Sequence, residues 1–111
     1  MNIPKKDIDF LNEFKQKVLR AFPQRIKSIA LFGSRATGKA KKDSDYDVFI
    51  MVDKSDRNLI DTILDIAYDI YVESNLKFDI SPVIMSEGFF NARLLQERRI
   101  AGEIAEQGIP L

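Results

Sequence analysis

The sequence of 111 residues contains no histidine and no cysteine. Without histidine, the commonest general base and the commonest zinc ligand are both missing. Without cysteine, disulfide bonds and thiol chemistry are excluded, and a reducing compartment such as the cytoplasm is the expected location. Any reaction catalysed by this chain must therefore use carboxylates, hydroxyls, lysine, arginine and an added metal ion.

Net charge and long apolar segments are also missing. The 17 basic residues balance the 17 acidic residues, so no overall positive charge attracts the chain to nucleic acid or to a membrane surface. No stretch is apolar enough to span a bilayer, and the charged N-terminal segment lacks the apolar core of a signal peptide. We therefore expect no direct binding to nucleic acid or membranes.

The length and the apolar periodicity predict one α/β domain that covers residues 1–111. The predicted architecture is a small mixed β-sheet with flanking helices, in the order α-β-β-α-β-α. The predicted elements lie, in chain order, at residues 5–22, 25–32, 45–52, 55–74, 76–85 and 86–107.

Two of the predicted strands carry signals about their place in the sheet. The second strand is apolar on both faces after Asp47, so it should be central and covered on both sides. The third strand contains Pro82, which cannot donate to a ladder and therefore favours an edge position or a bulge. Gly108 and Pro110 should close the last helix.

The segment "LFGSRATGKA" almost matches a phosphate-binding P-loop. Gly33, Gly38 and Lys39 fit the G-x-x-x-x-G-K spacing. The next residue, which should supply a hydroxyl to magnesium, is Ala40, and the following "KKDSDYD" lacks the apolar period of a helix. A P-loop ATPase is the weakest alternative, and it predicts that Lys39→Ala abolishes activity whereas Asp79→Ala does not.

The acidic run "DSDYDVFIMVDK" imitates a calcium-binding EF-hand loop at its start. Such a loop requires glycine at its sixth position and glutamate at its twelfth. This chain has Val48 and Lys54 at those positions. The apolar run after Asp47 indicates a strand and excludes the EF-hand interpretation.

Asp45 and Asp47 point to the same side of the predicted second strand, because residues two apart share a face. Their Cα atoms should lie about 6 to 7 Å apart, which suits two divalent cations about 4 Å apart in phosphoryl chemistry. Asp79 lies between Phe78 and Ile80 at the start of the next strand, so it can face the pair while its neighbours face the core. Each feature alone also fits a solvent-facing residue, and the combination carries the interpretation.

This combination resembles the minimal nucleotidyltransferases of the DNA polymerase β superfamily, in particular the MntA-type antitoxins of HEPN/MNT toxin–antitoxin pairs. The matching segments are "GSRATG", "DSDYDVFI" and "FDISPV". The spacing of Gly33-Ser34, ten residues and Asp-x-Asp is the signature of that family. The resemblance extends over nearly the whole chain, including Ile104 and Gly108, although Thr37 stands where family members often carry arginine.

The resemblance implies a polymerase β-like fold and a residue for each role. Asp45 and Asp47 are expected to hold two Mg²⁺ ions, with Asp79 on the catalytic ion. We expect the phosphates of ATP, the substrate, to bind at residues 33–35, namely Gly33, Ser34 and Arg35.

The same resemblance implies a protein acceptor. Family members transfer AMP from ATP to a tyrosine of a HEPN-domain ribonuclease toxin. Toxins of that kind carry a histidine, which this chain lacks, so it is expected to be the transferase. Two alternatives stay open, namely an antitoxin that acts by binding alone and a nucleotidyltransferase for a small molecule such as an antibiotic. A homo-oligomer and a hetero-oligomer are both compatible with the sequence.

Overall fold

The computed structural model describes residues 3–33, 45–95 and 99–111. Within these residues, four strands form one mixed sheet in the order β3-β2-β1-β4. Strand β1 is antiparallel to β2 and β4, whereas β2 and β3 are parallel. The predicted class, a small mixed sheet with flanking helices, is confirmed. The elements in chain order are α1 (Lys5–Ala21), β1 (Ile26–Phe32), β2 (Tyr46–Val52), α2 (Arg57–Glu73), β3 (Ile80–Ser86), α3 (Glu87–Leu95), α4 (Arg99–Gln107) and β4 (Ile109–Pro110).

Strand β2 lies between two apolar clusters, as predicted for a strand that is apolar on both faces. On one face, Tyr46 and Val48 pack in the cluster that contains the apolar faces of α1 and α2. On the other face, Phe49 packs with Phe90 of α3 and Ile104 of α4. Helices therefore cover both sides of the central strand.

Strand β3 begins at Ile80, so the predicted start at residue 76 is wrong. Helix α2 ends in a Schellman-type turn, in which the N–H of Leu76 donates to Tyr71 O at 2.8 Å and the N–H of Asn75 donates to Val72 O at 3.1 Å. Asn75 and Leu76 have φ angles of 58° and 64°, which are incompatible with a strand. Asparagine tolerates this conformation, whereas leucine rarely adopts it.

The predicted edge position of the third strand is confirmed. Strand β3 stands at one end of the sheet, and Pro82 lies opposite Val48 of β2. An edge strand is hydrogen-bonded to a neighbour on one side only. It therefore accommodates proline, whose missing N–H removes no bond on the open side.

The C-terminal part differs from the single predicted helix over 86–107. The structure has two helices there, α3 and α4, and residues 96–98 between them lie outside the described part. Gly108 closes α4 as predicted, with its N–H donating to Ile104 O at 3.0 Å. Ile109 and Pro110 then pair with Leu31 and Ala30 of β1. A two-residue strand is too short to produce an alternating apolar pattern, so periodicity does not reveal it.

Arg25 joins the start of β1 to the connection between β2 and α2. Its guanidinium donates to Asp53 Oδ1 at 3.2 Å, to Lys54 O at 2.6 Å and to Asp56 Oδ2 at 2.9 Å. Asp56 also caps α2 by accepting the N–H of Leu59 at 2.9 Å. The Leu59 N–H and the Arg25 charge hold the pKa of Asp56 below its usual value. Burial acts to raise the pKa of Asp53, but the Lys54 N–H and Arg25 together lower it.

Replacing Arg25 by glutamine should lower the thermal unfolding midpoint by a few degrees at pH 7 and by much less at pH 3. The depressed pKa of the two partner carboxyls contributes stability above the aspartate pKa of the unfolded chain, about 3.9, and this contribution is lost as the pH falls through the folded-state pKa. Thermal unfolding at pH 3 and pH 7 measures the difference. Arg20→Gln, at an exposed site on α1, is the control, and an equal loss at pH 3 and pH 7 would contradict the prediction.

No helix in the part of the chain that the structure describes is long and apolar enough to cross a membrane.

Candidate active site

Three chain segments meet where the end of β1 lies beside the starts of β2 and β3. The end of β1 lies beside the start of β2, where Phe32 faces Asp47 across the antiparallel ladder. The start of β3 lies on the other side of β2, where Tyr46 is opposite Ile80 and Asp47 is opposite Ser81. Parallel pairing of β2 and β3 therefore brings the residues just before each strand together.

Asp45 and Asp79 occupy those positions. The N–H of Tyr46 donates to Asp79 O at 2.9 Å, which extends the ladder by one residue beyond β3. Ser81 Oγ donates to Asp45 Oδ2 at 3.4 Å. Because strand side chains alternate, Asp45 and Asp47 face the same side as Asp79 and Ser81. The structure thus brings together the three acidic residues singled out from the sequence.

Burial, with mutual repulsion second, raises the pKa of two carboxyl groups in this acidic group. Burial raises the pKa of Asp47, which is half-buried, and the charge of Asp45 raises it further. Burial also raises the pKa of Asp79, as do the charge of Asp45 and a hydrogen bond between these two carboxyl groups. No cationic side chain of the described residues contributes to either shift. The site therefore has excess negative charge and favours a cation.

The side chains do not form a finished metal site. Among residues 3–33, 45–95 and 99–111, no three acidic side chains are arranged so that they could hold one metal ion. Asp45 nevertheless interacts with both Asp47 and Asp79. Cation binding would need a side-chain rotation, which Asp45 and Asp79 can make because both are exposed. Carboxylate oxygens are the ligands that Mg²⁺ prefers, so the donor set fits this ion.

Gly33 follows β1 with a φ angle of +74° and lies directly against the Asp47 carboxylate. A Cβ atom at this position would lie 3.2 Å from Asp47 Cγ and still closer to Oδ2. Glycine is thus required both by the backbone conformation and by the approach of the carboxylate. The sequence predicts a phosphate contact for Gly33 but contains no signal for its contact with Asp47. Ser34 and Arg35 lie outside the described residues.

Tyr46, between the two aspartates of β2, is anchored in the core. It is buried, its ring stacks on Phe78 with centroids 4.7 Å apart, and its hydroxyl donates to Asp7 Oδ2 of α1 at 2.7 Å. The alternation of strand side chains accounts for the packing of Tyr46 away from the aspartates, but the contact with Asp7 has no sequence signal. Ser81 was also missed, although its position two residues after Asp79 on the same strand face could have revealed it.

The sequence matches the nucleotidyltransferase domain family over residues 9–101. This match covers most of the chain, which therefore belongs to the nucleotidyltransferase domain family. The protein is a transferase of the EC 2.7.7 type, the class that transfers nucleotidyl groups. A search of curated proteins found no significant match.

Solved structures share the fold. A crystal structure of a toxin–antitoxin with AMP-PNP has a TM-score of 0.56 and 21% sequence identity, and the match covers 87% of this chain and 68% of that chain. A mutant of the toxin–antitoxin MntA-HpeT has a TM-score of 0.54 and 20% identity, with 99% and 72% covered. At such identities the likeness shows that the chain shares the fold of these structures.

Proposed function

We propose that this chain is a Mg²⁺-dependent enzyme of the cytoplasm that transfers AMP from ATP to a tyrosine hydroxyl of a HEPN ribonuclease toxin and thereby acts as its antitoxin. The meeting of Asp45, Asp47 and Asp79 at the sheet edge, in a chain of the nucleotidyltransferase family, carries this proposal. The similar structures are toxin–antitoxin proteins, and one of them was crystallised with AMP-PNP. This similarity supports ATP as the substrate and a toxin as the partner.

In this proposal, Asp45 and Asp47 would hold two Mg²⁺ ions, and Asp79 would share one of them. Mg²⁺, when bound there, would lower the pKa of the acceptor hydroxyl and neutralise charge on the leaving pyrophosphate. Asp79 would accept the hydroxyl proton on a carboxylate oxygen. The acceptor oxygen then bonds to the α-phosphorus, and the bond to pyrophosphate breaks.

The phosphates of ATP are assigned to Gly33, Ser34 and Arg35, of which the structure describes Gly33. The sharp turn at Gly33 brings backbone next to the Asp47 carboxylate. A phosphate bound along this backbone would therefore also be near the proposed metal ligand Asp47. Such closeness is what a metal-bridged triphosphate requires.

The described part of the site favours a large acceptor. Asp45 and Asp79 are both exposed and stand at the edge of the sheet. An exposed acceptor side suits a tyrosine presented on a protein surface better than an enclosed small molecule.

The position of the label in ATP tests the proposed reaction. The purified chain is incubated with Mg²⁺, the protein encoded by the adjacent gene, and ATP labelled on either the α- or the γ-phosphate. Label should reach the partner protein from α-labelled ATP and not from γ-labelled ATP, and EDTA should abolish the transfer. Asp9→Asn, an exposed acidic position on α1, is the control and should transfer label at the wild-type rate.

Other results identify the alternatives. A stable complex without label transfer would favour an antitoxin that acts by binding alone. Label on an antibiotic, with none on the partner protein, would favour a small-molecule transferase. Transfer from γ-labelled ATP would refute AMP transfer altogether.

A further inference from the structure

The outer face of α2 exposes a continuous apolar stripe. Leu64, Tyr68 and Val72 are 45%, 64% and 48% exposed. They are spaced four residues apart, so they lie side by side along the helix. We call these three residues the α2 stripe. Such a row is costly to leave in water and marks a contact surface more often than scattered apolar residues do.

A row of negative charge runs beside the α2 stripe. This row consists of four exposed residues on the same side of α2, namely Asp61, Asp65, Asp69 and Glu73. Asp65 and Asp69 each directly follow a stripe residue in the sequence, and Asp61 lies one turn before the first stripe residue. Arg57, paired with Asp61 at 3.7 Å, is the basic residue of this helix. The exposed face of α2 thus has the apolar α2 stripe along one side and the acidic row along the other.

The charge at the C-terminal end of α2 opposes helix stability. Helices are stabilised by acidic residues in the first turn and by basic residues in the last turn. Helix α2 begins with the acidic N-cap Asp56, but it has no basic residue in its last turn, and Glu73 stands at its C-terminal end beside Glu13 of α1. Neither the exposed apolar row nor the acidic row is explained by the stability of the isolated chain, and binding to a partner explains both.

We propose that the α2 stripe docks an amphipathic helix of a partner protein, whose own apolar row is bordered by lysine and arginine. The identification of that partner with the toxin rests on the proposed function. Charge complementarity selects this occupant. A second copy of α2 would bring its aspartates against those of the first, and an anionic membrane surface would be repelled by the same row.

Docking on α2 leaves the acidic site uncovered. Helix α2 packs against the sheet face that includes Tyr46 and Val48, whereas Asp47 points to the opposite face. Docking and transfer should therefore be separable by mutation. A stripe variant should lose the complex, and Asp47→Asn should keep it.

The test measures the dissociation constant for the partner protein encoded by the adjacent gene, by calorimetry. Leu64→Ser with Tyr68→Ser should weaken binding about 30-fold or more, the effect of losing an interface hot spot. Asp65→Lys with Asp69→Lys should weaken binding and reduce its salt dependence. The matched controls are Ile8→Ser and Asp9→Lys, at exposed apolar and acidic positions of α1, and they should bind like wild type. Circular dichroism confirms the fold of each variant.

Each remaining outcome decides the proposal. Wild-type chain that does not bind the partner overturns it, as does a stripe variant that binds within threefold of wild type. A wild-type dimer that the stripe substitutions convert to a monomer would identify a second copy as the occupant and would also overturn it. Stripe-dependent binding without AMP transfer would uphold the docking surface and refute the proposed function, so the two failures are distinguishable.

Discussion

Replacing Asp47 by asparagine is expected to reduce AMP transfer about a thousandfold or more, which corresponds to about 4 kcal/mol of transition-state stabilisation. Asparagine has the same shape but lacks the charge that would hold Mg²⁺ beside the triphosphate. The position is half-buried and opposite Phe32 in the β1–β2 ladder, so the substitution should leave the backbone unchanged.

The rate of label transfer from α-labelled ATP, with thermal unfolding in EDTA, measures this effect. Burial and, after it, repulsion from Asp45 raise the pKa of Asp47, so the uncharged metal-free variant should unfold at the wild-type temperature or above it. Asp45→Asn and Asp79→Asn should also lose activity, whereas Asp9→Asn should not. Activity of Asp47→Asn within tenfold of wild type would refute the assigned role of Asp47.

Replacing Gly33 by alanine is expected to reduce activity at least a hundredfold and to lower stability. The φ angle of +74° costs an L-residue about 1 kcal/mol or more. The added methyl group would also overlap the Asp47 carboxylate, so Asp47 must move. Displacement of a proposed metal ligand by a fraction of an ångström is enough to impair phosphoryl chemistry.

Urea unfolding and the same transfer assay separate these two effects. Gly102→Ala is a matched control, because nothing lies within 4 Å of the added Cβ atom at this position in α4. That control should keep full activity and gain up to about 1 kcal/mol of stability, the advantage of alanine over glycine in a helix. Full activity of Gly33→Ala would show that the contact between Gly33 and Asp47 has no part in function.

Elements with a long apolar period were predictable from the sequence. The first helix was predicted at 5–22 and is found at Lys5–Ala21. The second strand was predicted at 45–52 and is found at Tyr46–Val52, with helices over both of its faces. These predictions succeed because burial of a helix stripe or a strand face imposes a repeating pattern on consecutive residues.

Elements defined by one or two residues were not predictable. The late start of β3 depends on the left-handed turn at Asn75 and Leu76, and a leucine gives no warning of that conformation. The pairing of Ile109 with Leu31 joins residues from distant parts of the chain. Periodicity reports only neighbours along the sequence, so it contains no information about such contacts.

The sequence by itself determined the fold class and singled out the three acidic residues of the proposed site. The alternation of side chains along a strand places Asp45 and Asp47 on one face, and the family resemblance of the segment "FDISPV" relates them to Asp79. Only the tertiary structure decided that parallel pairing of β2 with β3 brings Asp79 beside Asp45. It likewise placed Gly33 against Asp47 and joined Tyr46 to Asp7 across 39 residues of sequence. The physical reason is that strand register and helix packing depend on the whole core, whereas a sequence pattern reflects the burial of each residue alone.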